Sequence, residues 1–291
     1  MVPAKKLASI PAPITFAICF FIFSQNQLIL YRFIFFYKII CIKFAAQIII
    51  KLKQSNLTYS MGFKNEFLSD FSTYFKDKRK TLFLCFSIFF IVVFLLLSFY
   101  VVDSSPKSWD LLVSQELQEE PSAILDVLMK GFSWLGTVYV AAVMVVVFSL
   151  IFLIFKYTKE ALFVLSCLLS GGVSYVLKML IDRPRPSTDF VRIVEETHYQ
   201  SFPSGHVLFY TAFFGTLIVI AISSGILKLS WKIMISAICS AMIVLGAVSR
   251  IYLGAHWFTD VIGGFIVGVL FVMFTGSVYL RSKKKSTLIQ E

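Results

Sequence analysis

From residue 81 onward, long apolar runs alternate with short polar connections. Six runs, at 81–102, 134–155, 161–181, 206–225, 233–252 and 257–280, stand out. A helix needs about 20 apolar residues to cross a bilayer, and each run approaches that length. Lipid offers a bare backbone no hydrogen-bond partner, so each run is predicted to be a helix. The predicted fold is all-α, an integral membrane bundle of six helices.

The connections give the bundle a direction. Lys76, Lys78, Arg79 and Lys80 precede the first run, and Lys156 and Lys159 follow the second. Lys228 and Lys232 follow the fourth, and Arg281, Lys283, Lys284 and Lys285 follow the sixth. In a six-pass chain all four positions share one side, which the positive-inside rule makes cytoplasmic. Both ends of the core are then expected inside. The opposite side carries 103–133, 182–205 and 253–256. The first of these contains Trp109, Leu111, Leu112, Leu117, Ile124, Leu125 and Leu128. Two readings stay open for it: amphipathic helices lying on the outer interface, or a plain loop.

Residues 1–60 fit this pattern poorly. The run 14–24 is too short to span, and 28–50 carries Arg32, Lys38 and Lys43. No small-residue cleavage site follows residue 24, so a signal peptide is not expected. Met61 opens a stretch of ordinary composition with Glu66, Asp70 and Asp77. The expectation is that Met61 is the natural start and 1–60 an over-extended reading frame. The alternative is an extra N-terminal membrane or interfacial segment. The core domain is then 61–285, with 286–291 as a cytoplasmic tail.

Composition agrees with a membrane protein. The chain is 58% hydrophobic and only 15% charged, with a mean hydropathy of +0.84. A soluble domain would be about a quarter charged. The net charge of +11 sits mostly in the first 65 residues, which hold eight Lys or Arg and no Asp or Glu. These basic residues lie among Phe and Ile or at the ends of apolar runs, not on the face of a soluble module, so no nucleic-acid partner is expected. Cys19, Cys41, Cys85, Cys167 and Cys239 each lie in an apolar stretch without a CxxC. They read as small apolar fillers, and neither a disulfide nor a metal site is expected.

Polar residues concentrate at the outer ends of the last four runs. Lys178 is followed after six residues by Arg185-Pro186. Pro203-Ser204-Gly205-His206 opens the fourth run. Ser249-Arg250 is followed after five residues by His256 and, four positions later, by Asp260. Lys178, Arg185 and Arg250 converging at one interface would hold a dianion. Ser204 and Gly205 precede a helix, whose free N–H groups suit an anion, and Ser204 could instead act as an N-cap. His256 and Asp260 share a helical face, so the carboxylate could orient the imidazole for attack. His206 could then protonate a leaving oxygen. Taken singly, Lys178 could snorkel to the interface, and Arg185 and Arg250 could be plain interfacial anchors. An intramembrane Asp260 is harder to dismiss. His198 reads as a solvated loop residue.

Together, these three clusters resemble the complete signature of the type 2 phosphatidic acid phosphatase family. That family includes bacterial phosphatidylglycerophosphate and undecaprenyl pyrophosphate phosphatases, glucose-6-phosphatase and vanadium haloperoxidases. The signature covers 178–260, and the six-helix pattern extends the resemblance to about 61–285. The resemblance implies that His256 is a phosphoryl-accepting nucleophile, Asp260 its orienting partner and His206 the acid. It implies that Lys178, Arg185, Ser204, Gly205 and Arg250 bind phosphate, without metal or other cofactor. The expected substrate is a membrane lipid phosphate: phosphatidate, phosphatidylglycerophosphate, diacylglycerol pyrophosphate or undecaprenyl pyrophosphate. The competing readings are a non-catalytic lipid-binding or transport protein and a vanadate-dependent peroxidase relative.

Overall fold

The computed structural model describes residues 61–103 and 106–290. The readings placed on 1–60, and on Cys19 and Cys41, lie outside the described residues. The chain divides into two units, Met1–Asp77 and Lys78–Glu291. The described part of the first, 61–77, is the leading stretch of one helix. The second unit carries the bundle and all three polar clusters.

The elements are α1 (Met61–Asp103), α2 (Ser108–Leu117), α3 (Ala123–Trp134), α4 (Val138–Ile154), α5 (Thr158–Leu165), α6 (Leu169–Ile181), α7 (Gly205–Ser223), α8 (Leu229–Tyr252) and α9 (Phe258–Gln290). A single 3₁₀ turn, Ser166–Leu168, joins α5 to α6, so Thr158–Ile181 runs as one span. Among the described residues, Lys80–Val102, Gly205–Ser223, Leu229–Tyr252 and Phe258–Lys283 are also long and apolar enough to cross a membrane. A sixth crossing exists if α3 and α4, bent by 57°, count as one span. The run expected at 134–155 is therefore a shorter helix, Val138–Ile154, set at an angle to its predecessor. Ser133, Gly136 and Thr137 interrupt the helical ladder at the bend, where Gly136 N–H and Thr137 N–H bond back only three residues.

α7 is apolar on every side, as an enclosed helix should be. Val207, Leu208, Tyr210, Ala212 and Phe213 are fully buried, and α8 and α9 form its largest contacts. α9 approaches closely through Gly264 and Gly268: a Cβ on either would lie 2.5 Å from Ser204 O or Thr211 Cβ. Small residues four apart allow this kind of membrane helix contact. The outer surface is paved with exposed Leu96, Phe99, Tyr139, Ile154 and Leu180. A patch of that size on a soluble monomer would drive association; hydrocarbon accommodates it. The molecule is a multi-pass membrane protein.

Of the segment read as interfacial helices or a plain loop, Ser108–Leu117 and Ala123–Trp134 are helices. The Gln118 amide donates to Arg192 O (2.8 Å) and Tyr252 O (2.7 Å) and accepts from Arg192 N–H (2.9 Å). Asp126 on α3 accepts two bonds from the Arg192 guanidinium, 2.7 and 3.0 Å, and one from Tyr252 OH, 2.6 Å. These hydrogen bonds hold the Asp126 carboxyl down at about 2. The two short helices are thereby tied to the end of α8.

Candidate active site

The three polar clusters meet at one end of the bundle. Lys178 occupies the last turn of α6, and Asp182 caps that helix in a left-handed conformation. The Lys178 ammonium donates to Gln200 O (2.5 Å) and Ser201 O (3.4 Å). It turns inward to the 182–204 connection and does not snorkel outward. That connection is folded back by Ser201 N–H to Arg183 O (2.8 Å) and joined to α9 by Ser204 N–H to Asp260 O (3.0 Å).

Ser204 is the N-cap of α7, yet its hydroxyl makes no capping bond. Its Oγ is buried and has no hydrogen-bond partner among the described residues. Gly205 begins the helix beside α6; a Cβ there would lie 2.8 Å from Ser174 Oγ and 3.9 Å from Lys178 Cε. His206 follows, its Nε2 also unpartnered among the described residues. Arg250, Arg185, Lys178 and His256 all lie close enough to act on its charge.

Arg250 ends α8 fully buried. Its Nη1 donates to Glu195 Oε1 (2.9 Å) and to Ser133 Oγ, while its Nε and Nη2 find no partner among the described residues. An enclosed guanidinium requires paired charge, and Glu195 supplies part of it. The chain then reverses: Ala255 and His256 N–H both bond to Arg250 O (3.1 Å each). His256 thus lies in the turn before α9, two residues short of the helix, not on the helical face that its spacing to Asp260 suggested. The turn preserves the pairing, with His256 Nδ1 3.5 Å from Asp260 Oδ2. That separation is loose for a hydrogen bond, as catalytic pairs often are without substrate.

Asp260 is held from three other directions. Its Oδ2 accepts from Trp257 N–H (2.8 Å) and from Ser201 Oγ, and its Oδ1 accepts from Arg183 Nη1 (2.5 Å). The Trp257 bond is half of a capping box at the start of α9. On the other face of His256, Arg185 Nη1 stands 3.4 Å from Nε2 and donates to Ala255 O (2.6 Å). Burial, and next the charges of Arg185, Lys178 and Arg250, push the His256 pKa well below its ordinary value. The imidazole is therefore neutral near pH 7. Burial, with the Arg250 charge next, brings Arg185 down to about 10, where it stays cationic.

All eight residues singled out by sequence thus belong to one cluster. His198 lies exposed. Sequence reasoning missed the supporting set: Asp110, Ser133, Arg183, Glu195, Ser201 and Thr259. An acid inside the apolar stretch 109–113 was the one local hint, at Asp110.

The arrangement offers several donors around an imidazole nitrogen, suited to a tetrahedral oxyanion. Comparison with known proteins agrees. The model of the PAP2 superfamily matches residues 159–284. Phosphatidylglycerophosphatase B of Bacillus subtilis is 29% identical over 180 residues, 61% of this chain and 86% of that protein. Lipid A 4'-phosphatase of Porphyromonas gingivalis is 30% identical over 175 residues, 54% of this chain and 69% of that protein. The crystal structure of a transmembrane PAP2-type phosphatidylglycerolphosphate phosphatase from Bacillus subtilis superposes with a TM-score of 0.58 at 25% identity. That match covers 67% of this chain and 96% of the other.

Proposed function

The chain belongs to the PAP2 superfamily, and from that premise we propose that it dephosphorylates a membrane lipid phosphate through a phosphohistidine on His256. The observation that carries this reading is the neutral His256 Nε2 facing cationic Arg185, beside buried donors that have no partner among the described residues: Ser204 Oγ and Arg250 Nε and Nη2.

In the first step His256 Nε2 attacks phosphorus and the bond from phosphorus to the lipid oxygen breaks. His206 donates a proton to that oxygen, since an alkoxide leaves poorly. Lys178, Arg185, Arg250, Ser204 and the N-terminus of α7 hold the phosphoryl oxygens throughout. The charge stabilisation that metal ions supply in many phosphoryl transfers is assigned here to these fixed cations and N–H groups. In the second step water attacks the phosphohistidine, His206 takes its proton, and inorganic phosphate leaves. Asp260 orients the imidazole in both steps.

The names of phosphatidylglycerophosphatase B and of the matching Bacillus subtilis crystal structure make phosphatidylglycerophosphate the first substrate to test. The loop charges support a site on the outer face, where lipid headgroups reach it from the bilayer. The test is phosphate release by purified protein in detergent with a chelator present. Phosphatidylglycerophosphate, phosphatidate, diacylglycerol pyrophosphate and undecaprenyl pyrophosphate are compared by kcat/KM. Turnover of at least one, unaffected by the chelator, is expected; turnover of none would favour a non-catalytic lipid-binding protein.

A further inference from the structure

Behind the nucleophile lies a second polar cluster, built on Asp260 from three residues that are not signature positions: Asp110, Arg183 and Thr259. Arg183 sits in the connection after α6 with its side chain fully enclosed. Its Nη1 donates to Asp260 Oδ1 (2.5 Å) and Thr259 Oγ1 (2.7 Å). Its Nη2 donates to Asp110 Oδ2 (2.6 Å). Asp110, on α2, is enclosed as well. Its Oδ1 accepts from Thr259 N–H (2.9 Å) and Thr259 Oγ1 (2.8 Å), and its Oδ2 from Lys107 N–H (3.2 Å). Asp110 therefore caps two helices at once, its own α2 and, from a distance, α9.

The resulting row runs Asp110, Arg183, Asp260, His256. Each link has a structural cause. Two carboxylates enclosed together repel, and only a planar fork such as guanidinium bridges both. A lysine in that place would reach one. Removing the bridge would leave a buried carboxylate without its counter-charge, which is strongly destabilising in comparable sites. Stability alone does not demand ions here, because apolar packing often serves as well. The geometry demands them: the oxygen of Asp260 opposite the Arg183 bond is the one that faces His256 Nδ1.

We infer that Arg183 and Asp110 are positioning residues for the nucleophile, through which the interfacial helix α2 fixes the Asp260 carboxylate against His256. This rests on the phosphohistidine reading above. One Asp260 oxygen takes the Arg183 bond and the other faces the imidazole, so the effect of Arg183 on chemistry passes through Asp260. In this way a helix outside the matched family region contributes to the reacting imidazole.

The test is a double-mutant cycle of Arg183→Gln and Asp260→Asn on purified full chain, with kcat and KM measured separately. Arg183→Gln is expected to lower kcat at least tenfold with KM within threefold of wild type. In the Asp260→Asn background the same change is expected to cost less than threefold, since the group it acts through is already neutral. A kcat within threefold of wild type for Arg183→Gln overturns the inference. Losses that simply multiply in the double variant also overturn it, because a purely structural role behaves that way. If Arg183→Gln yields no folded protein by thermal unfolding in detergent, Arg183→Lys and Asp110→Asn take its place under the same limits. His256→Ala is measured alongside. If it turns over at the wild-type rate, the phosphohistidine reading has failed; if it is inactive while Arg183→Gln is normal, only the positioning inference has.

Discussion

At the scale of residues, the proposed mechanism gives the two histidines different tasks. His256 is kept neutral by burial and by the charges of Arg185, Lys178 and Arg250, while its Nδ1 faces a carboxylate anchored by Ser201, Trp257 and Arg183. A histidine whose folded pKa is depressed stays neutral, and nucleophilic, to lower pH than a free imidazole. The acid limb of kcat/KM, corrected for the substrate's own ionisation, is therefore expected below the ordinary histidine value of about 6.5. A limb at or above that value would remove the role assigned to the three cations. His206 carries a different prediction. His206→Ala should cost about 10²–10⁴-fold with a lipid alkoxide leaving group. It should cost much less with an aryl phosphate, which leaves without a proton; equal losses on both would show that His206 is not the acid. The eight signature positions were legible in the sequence because each lies at a fixed spacing from a neighbour. Arg183 and Asp110 were not: their partners lie 73 and 149 residues away, nothing local marks Arg183, and an acid in an apolar stretch, the one hint at Asp110, names no partner.

At the scale of elements, five of the six apolar runs correspond, among the described residues, to helices long and apolar enough to cross a membrane, and the sixth does so only if α3 and α4 count as one span. The run 134–155 is continuous in hydropathy, and only the bend at Ser133–Thr137 shows that α3 and α4 are separate helices. The segment 103–133 was ambiguous because amphipathic spacing fits an interfacial helix and a loop alike. Its ties to Arg192, Tyr252 and Thr259 decide between them, and these are tertiary. The position of His256 differs for a related reason: spacing of four suggested one helix, but the backbone reverses on Arg250 O first. The α7–α9 contact yields a direct test. Gly268→Leu forces bulk against Thr211 and Leu208 O, and overpacking of this kind costs about 1–3 kcal/mol. A fall in thermal unfolding temperature in detergent, accompanied by loss of turnover, is expected; an unchanged temperature would show that the two helices do not pack as described.

At the scale of the whole molecule, the bundle delivers one arrangement from four helix ends. α6 brings Lys178, α7 brings Ser204, Gly205 and His206, α8 brings Arg250, and the approach to α9 brings His256 and Asp260. The proposed orientation puts this end outside and the lysine-rich ends inside. A single cysteine at His198, in a chain otherwise without cysteines, should react with an impermeant thiol reagent on intact cells; labelling only after lysis would reverse the orientation. The central claim is phosphoryl transfer through His256, and its most direct test is phosphate release by His256→Ala beside wild type, at equal folded protein in detergent with chelator. The account predicts that wild type turns over a lipid phosphate and that the variant loses activity by about 10⁴-fold or more. A variant that retained a tenth of wild-type turnover would contradict it.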